Sequence, residues 1–166
     1  NWTTALSQSV IVENKAGASG TVGHHAVAQA PADGYTVLMG TNSTYAIAPS
    51  ILESLPYDNE KAFAPVGLVL RTPQMLCVHP SVPVKTVAEL LEYARARPDK
   101  VNFGSAGIGA TSHLAMELLM SMAGVRMEHI PYRGGAPAQQ ALIAGEVNVG
   151  FVDAIIAISS SEGGLL

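Results

Sequence analysis

Seven short β-like runs alternate with helix-like runs along this chain, and that alternation limits the fold more than any other feature of the sequence. The β-like runs are residues 9–13, 35–40, 66–70, 74–78, 101–103, 127–130 and 147–151. Strand–helix alternation with short connections predicts an α/β architecture, with mostly parallel strands joined by right-handed crossovers. Hydrophobic residues make up 48% of the chain and aromatics only 5%, so Ala, Val, Ile and Leu must fill the core. Those are the usual residues between helices and parallel strands.

Local signals place the helices. Pro31 and the turn Ala32-Asp33-Gly34 end a helix over residues 21–29. Thr86 and Glu89 have capping-box spacing and open a helix that runs to about Arg97, where Pro98-Asp99 stops it. Its apolar residues Val87, Leu90, Leu91 and Ala94 share one face. Residues 113–123 form a helix with Gly124 as its C-terminal stop, and Met116, Met120 and Met122 read as core filling there. Residues 136–144 form another, ended by Gly145. Thr72-Pro73 interrupts two strands, and the kink at Pro73 together with residues 80–83 marks a lobe boundary, dividing the chain into 1–72 and 73–166.

Charge and motifs remove several classes of function. The net charge of −4 with no basic run argues against nucleic acid and against a polybasic membrane surface. No apolar stretch approaches the roughly 20 residues that a membrane-spanning helix needs. The single cysteine, Cys77, lies in an apolar run and reads as a buried thiol. The five histidines show no metal-ligand spacing, and they read as surface or core residues. Residues 104–112 lack the third glycine of a dinucleotide fingerprint, the Gly-Lys-Ser/Thr of a phosphate loop and the Gly-x-Ser-x-Gly of a nucleophile elbow. No catalytic residue, metal or cofactor is therefore expected.

In parallel sheets ligands sit beyond the carboxyl ends of the strands. That rule singles out residues 14–20, 41–44, 104–112 and 131–135, and Asp153. The glycines of 104–112 let backbone approach a ligand, Ser105, Thr111 and Ser112 add hydroxyls, and the following helix adds N–H groups. Such a loop suits a carboxylate or phosphate, with a capped helix start at Thr111 or Ser112 as the plain structural alternative. Thr41, Asn42, Ser43 and Thr44 serve equally as a helix cap or a ligand loop. Arg133 could clamp an anion or stay solvated. Asp153 could pair with a ligand ammonium, orient a neighbour or cap a helix.

Seven collinear segments carry a resemblance. They are Val10-Ile-Val-Glu-Asn-Lys-Ala-Gly-Ala-Ser-Gly20, Asp33-Gly-Tyr-Thr-Val-Leu-Met-Gly-Thr-Asn42, Leu55-Pro-Tyr-Asp58, Phe63-Ala-Pro-Val66, Val78-His-Pro-Ser-Val-Pro83, Ser105-Ala-Gly107 with His113-Leu114, and Ile130-Pro-Tyr-Arg-Gly134. Together the chain resembles the Bug (Bordetella uptake gene) receptors, the substrate-binding proteins of tripartite tricarboxylate transporters. The resemblance implies a type II periplasmic-binding-protein-like fold: two Rossmann-like lobes, with mixed, mostly parallel sheets around a cleft that closes like a flytrap. It implies a periplasmic, monomeric receptor that binds a di- or tricarboxylate, an amino acid or an aromatic acid and delivers it to membrane transporter subunits, without itself entering the membrane. A ligand sensor for a membrane regulator and an enzyme on the same fold are the alternatives.

Family members begin with a signal peptide and a first strand, and run past the position of Leu166. The chain therefore reads as a fragment: residues 1–72 part of lobe 1, residues 73–166 most of lobe 2. Carried over by position, the ligand contacts are Thr41, Asn42, Ser43 and Thr44 in the first lobe. In the second they are Ser105, Ala106, Gly107, Gly109 and Thr111, with Tyr132, Arg133, Gly134 and Asp153 lining the cleft. Ala110, Thr111 and Gly135 depart from the residues usual in the family, and the segment 155–166 fits it poorly.

Overall fold

The computed structural model describes residues 2–98 and 100–163. Asp99, read as half of a helix stop, and Leu165 and Leu166 at the end of the tail lie outside the described residues. Four strands form one sheet: β1 (Gln74–Val78), β2 (Asn102–Ser105), β3 (Glu128–Pro131) and β4 (Val149–Asp153), in spatial order β1-β4-β2-β3. β2 is parallel to both β3 and β4, and β1 runs antiparallel to β4. The sheet is thus mixed and mostly parallel, as the alternation predicts.

Helices cover both faces. α4 (Val87–Arg95) and α5 (Thr111–Ala123) enclose a core of Leu90, Ala94, Phe103, Met116, Met120 and Val149. Phe103 is 0% exposed at its centre. α6 (Gly135–Ile143) and α7 (Ala154–Glu162) close a second cluster of Ala141, Leu142, Val147, Val152 and Ala157. Cys77 packs against that second cluster, where burial raises its thiol above the ordinary value. The capping box forms in altered shape: the Glu89 N–H donates to Thr86 Oγ1 at 3.2 Å, but the Glu89 carboxylate accepts from the Lys85 N–H at 2.6 Å. Two residues expected on apolar faces point outward, Met122 at 80% exposure and Val87 at 50%. On α5, Met116 and Met120 already fill the inward stripe, so Met122 lies off it.

Residues 2–72 hold α1 (Trp2–Leu6), α2 (Thr21–Ala28), a π-helical turn over Ser43–Ile47 and α3 (Ala48–Ile51). His24, buried to 2% exposure, packs with Tyr45, Tyr57 and Phe63 at centroid distances of 6.5, 5.7 and 5.4 Å. Burial holds its imidazole below the usual histidine value. The strands expected at 9–13, 35–40 and 66–70 are absent; all three runs are irregular and largely exposed, Val66 to 92%. Strands gain stability from ladder bonds and cross-strand pairs, and no described segment pairs with these runs.

Candidate functional site

The order of strands fixes where a site can form. From β2 the chain passes through α5 to β3 on one side, then through α6 to β4 on the other side of β2. The carboxyl end of β2 is therefore a topological switch point, where the diverging connections leave a crevice. Residues 106–110, the centre of the glycine-rich segment, leave the sheet at that point.

The local geometry leaves the start of α5 without a cap from its own N-cap side chain. Ala110, not Thr111 or Ser112, occupies the N-cap position of α5 in extended conformation, and no side chain caps the helix from there. The Ser112 hydroxyl instead accepts the Ala106 N–H at 3.1 Å, tying the loop back on itself. Gly107 and Gly109 adopt φ of +126° and +78°, a region that side chains strongly disfavour. Ser105, 1% exposed, accepts the Gly107 N–H at 3.1 Å and contacts His129 Nε2 at 2.6 Å. The loop after β3 is joined to the same place. The Tyr132 N–H donates to the Ser105 carbonyl at 3.0 Å, and the Gly134 N–H donates to the Ala106 carbonyl at 3.2 Å. This brings Tyr132, Arg133 and Gly134 beside Ala106 and Gly107. Burial, and then the charge of Glu146, push the Tyr132 phenol above its ordinary value, so it remains a neutral donor. Arg133 is exposed, and among the described residues its guanidinium forms no ion pair.

The segment 41–44 meets this loop directly. Ser43 Oγ accepts the Thr111 N–H at 3.0 Å and lies 2.9 Å from Thr111 Oγ1. Thr41 and Asn42 are exposed next to it. Thr44 is buried and turns inward: its hydroxyl accepts the Thr41 N–H at 3.1 Å and donates to the Thr41 carbonyl at 3.1 Å. Thr44 therefore shapes the turn rather than presenting a hydroxyl outward. Asp153 ends β4 and stands at the N-cap of α7, exposed, with no cap bond from its carboxylate. Because β4 is parallel to β2, it shares the loop's end of the sheet.

Two contributions were missed at the level of single residues. Ser19 Oγ donates to the Ile108 carbonyl at 2.7 Å, from a turn in which Ala18 and Ser19 both have positive φ. Its signal in the sequence is the glycine-rich run 14–20, in which no single residue stands out. His113 Nδ1 accepts the Gly109 N–H at 3.1 Å. Among the described residues no group of three His, Cys, Asp or Glu is arranged to hold a metal, and no helix is long and apolar enough to cross a membrane. Two surface concavities, about 140 Å³ beside Leu76 and Leu90 and about 550 Å³ beside Glu117 and Met120, take no lining from either loop.

The pattern of the family described as "Tripartite tricarboxylate transporter family receptor" matches residues 1–166. The chain belongs to that family. A UPF0065 protein of Bordetella pertussis is 40% identical over 147 residues, covering 89% of this chain and 45% of the relative. Protein BugT of the same organism is 35% identical over 144 residues, covering 86% and 44%. The chain thus spans less than half the length of these curated relatives. Among solved structures, an R. palustris protein with adipate superposes with a TM-score of 0.95 at 35% identity, over 99% of this chain and 55% of that one. MatC from Rhodopseudomonas palustris with bound malate gives 0.89 at 31% identity, over 98% and 55%. The periplasmic binding protein BugD gives 0.85 at 36% identity, over 91% and 50%. This member of the family therefore has the α/β fold of periplasmic binding proteins.

Proposed function

We propose that the chain supplies the ligand-gripping part of an extracytoplasmic receptor for a small carboxylate, which it presents to membrane subunits of a tripartite tricarboxylate-type transporter. The observation that carries this reading is the uncapped start of α5. Its first N–H, on Thr111, is met by the Ser43 hydroxyl across the chain, beside two glycines held at positive φ. A helix start lacks helical acceptors for its N–H groups and carries the positive end of the helix dipole, so it favours an anion there. Ser105, Ala106, Gly107, Gly109 and Thr111 form the cradle, and Thr41, Asn42 and Ser43 face it. Tyr132, Arg133 and Gly134 line its side, and Arg133 offers a paired donor to a second carboxylate. The solved relatives with adipate and malate support the ligand class.

In this reading residues 1–72 belong to one lobe and 73–166 to the other, and binding draws them together without a chemical step. The protein works in the periplasm as a monomer. A thermal-shift screen of the full chain against malate, adipate, tricarboxylates and amino acids tests the proposal. A ligand at one hundred times its dissociation constant stabilises by about 2.7 kcal/mol. Stabilisation by a carboxylate that NMR shows to be unconsumed is the expected result; no stabilisation by any of them, or turnover, would sink it. Asp153 decides the subclass, because loss of amino-acid binding in Asp153→Ala would assign it to a ligand ammonium.

A further inference from the structure

Beneath the cradle lies a column of three rings. Phe103 stacks on His129 at 4.7 Å between centroids, and His129 stacks on His113 at 4.1 Å. The two imidazoles come from different elements, β3 and α5, and each reaches one glycine of the loop. His113 does so directly, since its Nδ1 accepts the Gly109 N–H at 3.1 Å. His129 does so through Ser105, whose Oγ lies 2.6 Å from His129 Nε2 and accepts the Gly107 N–H at 3.1 Å. The same hydroxyl donates to the Gly107 carbonyl at 3.2 Å.

We infer that His113 and His129 are positioning residues that set the conformation of the carboxylate loop, and that His113 does so only while its Nδ1 carries no proton. The inference rests on the receptor reading for its ligand and on these contacts for its geometry. An imidazole nitrogen accepts a hydrogen bond only when it carries no proton. Protonation of His113 at Nδ1 turns an acceptor into a donor facing the Gly109 N–H, and the bond is lost. Glu117 Oε1 lies 3.5 Å from His113 Nε2 on the same helix, a placement that favours a proton on that nitrogen. Across the stack stands His129; the β2 residues against the pair, Phe103 and Ser105, carry no charge. A second cation within 4.1 Å of the first is strongly disfavoured, so acid cannot charge both rings without separating them. Burial, and then the charge of His113, already hold His129 down to about 4.

The test has two arms. In the first, the ligand-free full chain is labelled with ¹⁵N and the histidine tautomers and glycine amides are followed by NMR from about pH 7.5 to about pH 5. The expected result is a His113 Nδ1 that is unprotonated at neutral pH, with the Gly109 amide shifting as that nitrogen takes up a proton. A protonated Nδ1 at neutral pH, or a Gly109 amide indifferent to it, overturns the inference.

In the second arm, malate and adipate are titrated into the wild type, His113→Asn and His113→Leu at both pH values. Asn keeps an acceptor near Nδ1 and does not titrate. Its affinity should stay within about threefold of wild type at neutral pH, whereas Leu should lose about tenfold, the worth of one good hydrogen bond. A loss on acidification that wild type shows and Asn does not is the signature of the His113 bond, and comparing the two removes the ligand's own titration. Parallel losses in wild type and Asn overturn the inference. If no carboxylate binds any form, the receptor reading fails and the affinity claim with it, while the first arm still decides whether the histidines hold the loop. His129→Gln, which can still reach Ser105, should bind better than His129→Leu; equal binding counts against the Ser105 route.

Discussion

The sharpest consequence of the ring column is a stability that falls in acid, and its sign and size follow from His129. In the folded protein this imidazole is held down to about 4 against an ordinary 6.5, first by burial and then by His113. Above 6.5 the ring is neutral in both folded and unfolded chains, so its contribution is complete. Between 6.5 and 4 the unfolded chain takes up a proton that the folded chain refuses, and stability drops as the pH falls. Below about 4 the loss is finished. At about 1.4 kcal/mol per pH unit the full effect would approach ~3 kcal/mol, and the ring's partial exposure brings it to about 1–2 kcal/mol. Urea unfolding at about pH 7.5, 6, 5 and 4.5, comparing wild type with His129→Gln, isolates the term from other titrating groups. The wild type should lose about 1–2 kcal/mol more than the variant across that range, nearly all of it below about pH 6.5. Equal slopes, or a loss that appears above pH 7, would refute the argument.

Three substitutions probe the scaffold. Phe103→Ala empties the centre of the larger core and should cost about 3–5 kcal/mol, read as a lower urea midpoint. Gly109→Ala places a Cβ at φ +78° and against the Ile51 side chain. It should cost about 1–2 kcal/mol in thermal unfolding and weaken carboxylate binding by more than its loss of stability accounts for. Thr86→Ala removes the hydroxyl that caps α4 and should cost about 1 kcal/mol by urea unfolding, with ligand affinity unchanged.

What could be read from the sequence was what neighbouring residues decide among themselves. The four strands from residue 74 onward appear at or within two residues of their expected places, because each is followed or preceded by a helix whose periodicity and stops are local. Gly124 stops α5 in left-handed conformation for the same reason. The start of α5 was not legible in detail. Two hydroxyl residues compete to cap it, yet Thr111 is supplied by Ser43 from 68 residues away and Ser112 turns back to Ala106. Thr44 and Ser43 are adjacent and chemically alike, and only tertiary contact sends one inward and the other to Thr111. The histidines read as isolated because His113 and His129 lie on different elements, and nothing in their spacing announces a 4.1 Å stack. The apolar runs at 9–13, 35–40 and 66–70 have the composition of strands, but composition cannot provide the partner that a ladder requires.

Those unladdered runs also bear on the colloidal behaviour of the chain. Val66-Gly-Leu-Val-Leu70 is uncharged, proline-free, rich in β-branched and aliphatic residues and mostly exposed. A window of that kind is a template for cross-β stacking between molecules. It is bracketed by Pro65 on one side and by Arg71 and Pro73 on the other, while residues 9–13 run into the Glu13–Lys15 ion pair. Proline and charge at the borders of an aliphatic run act as gatekeepers against fibril growth. At those two runs, resistance to aggregation draws on a few flanking residues that belong to no core cluster.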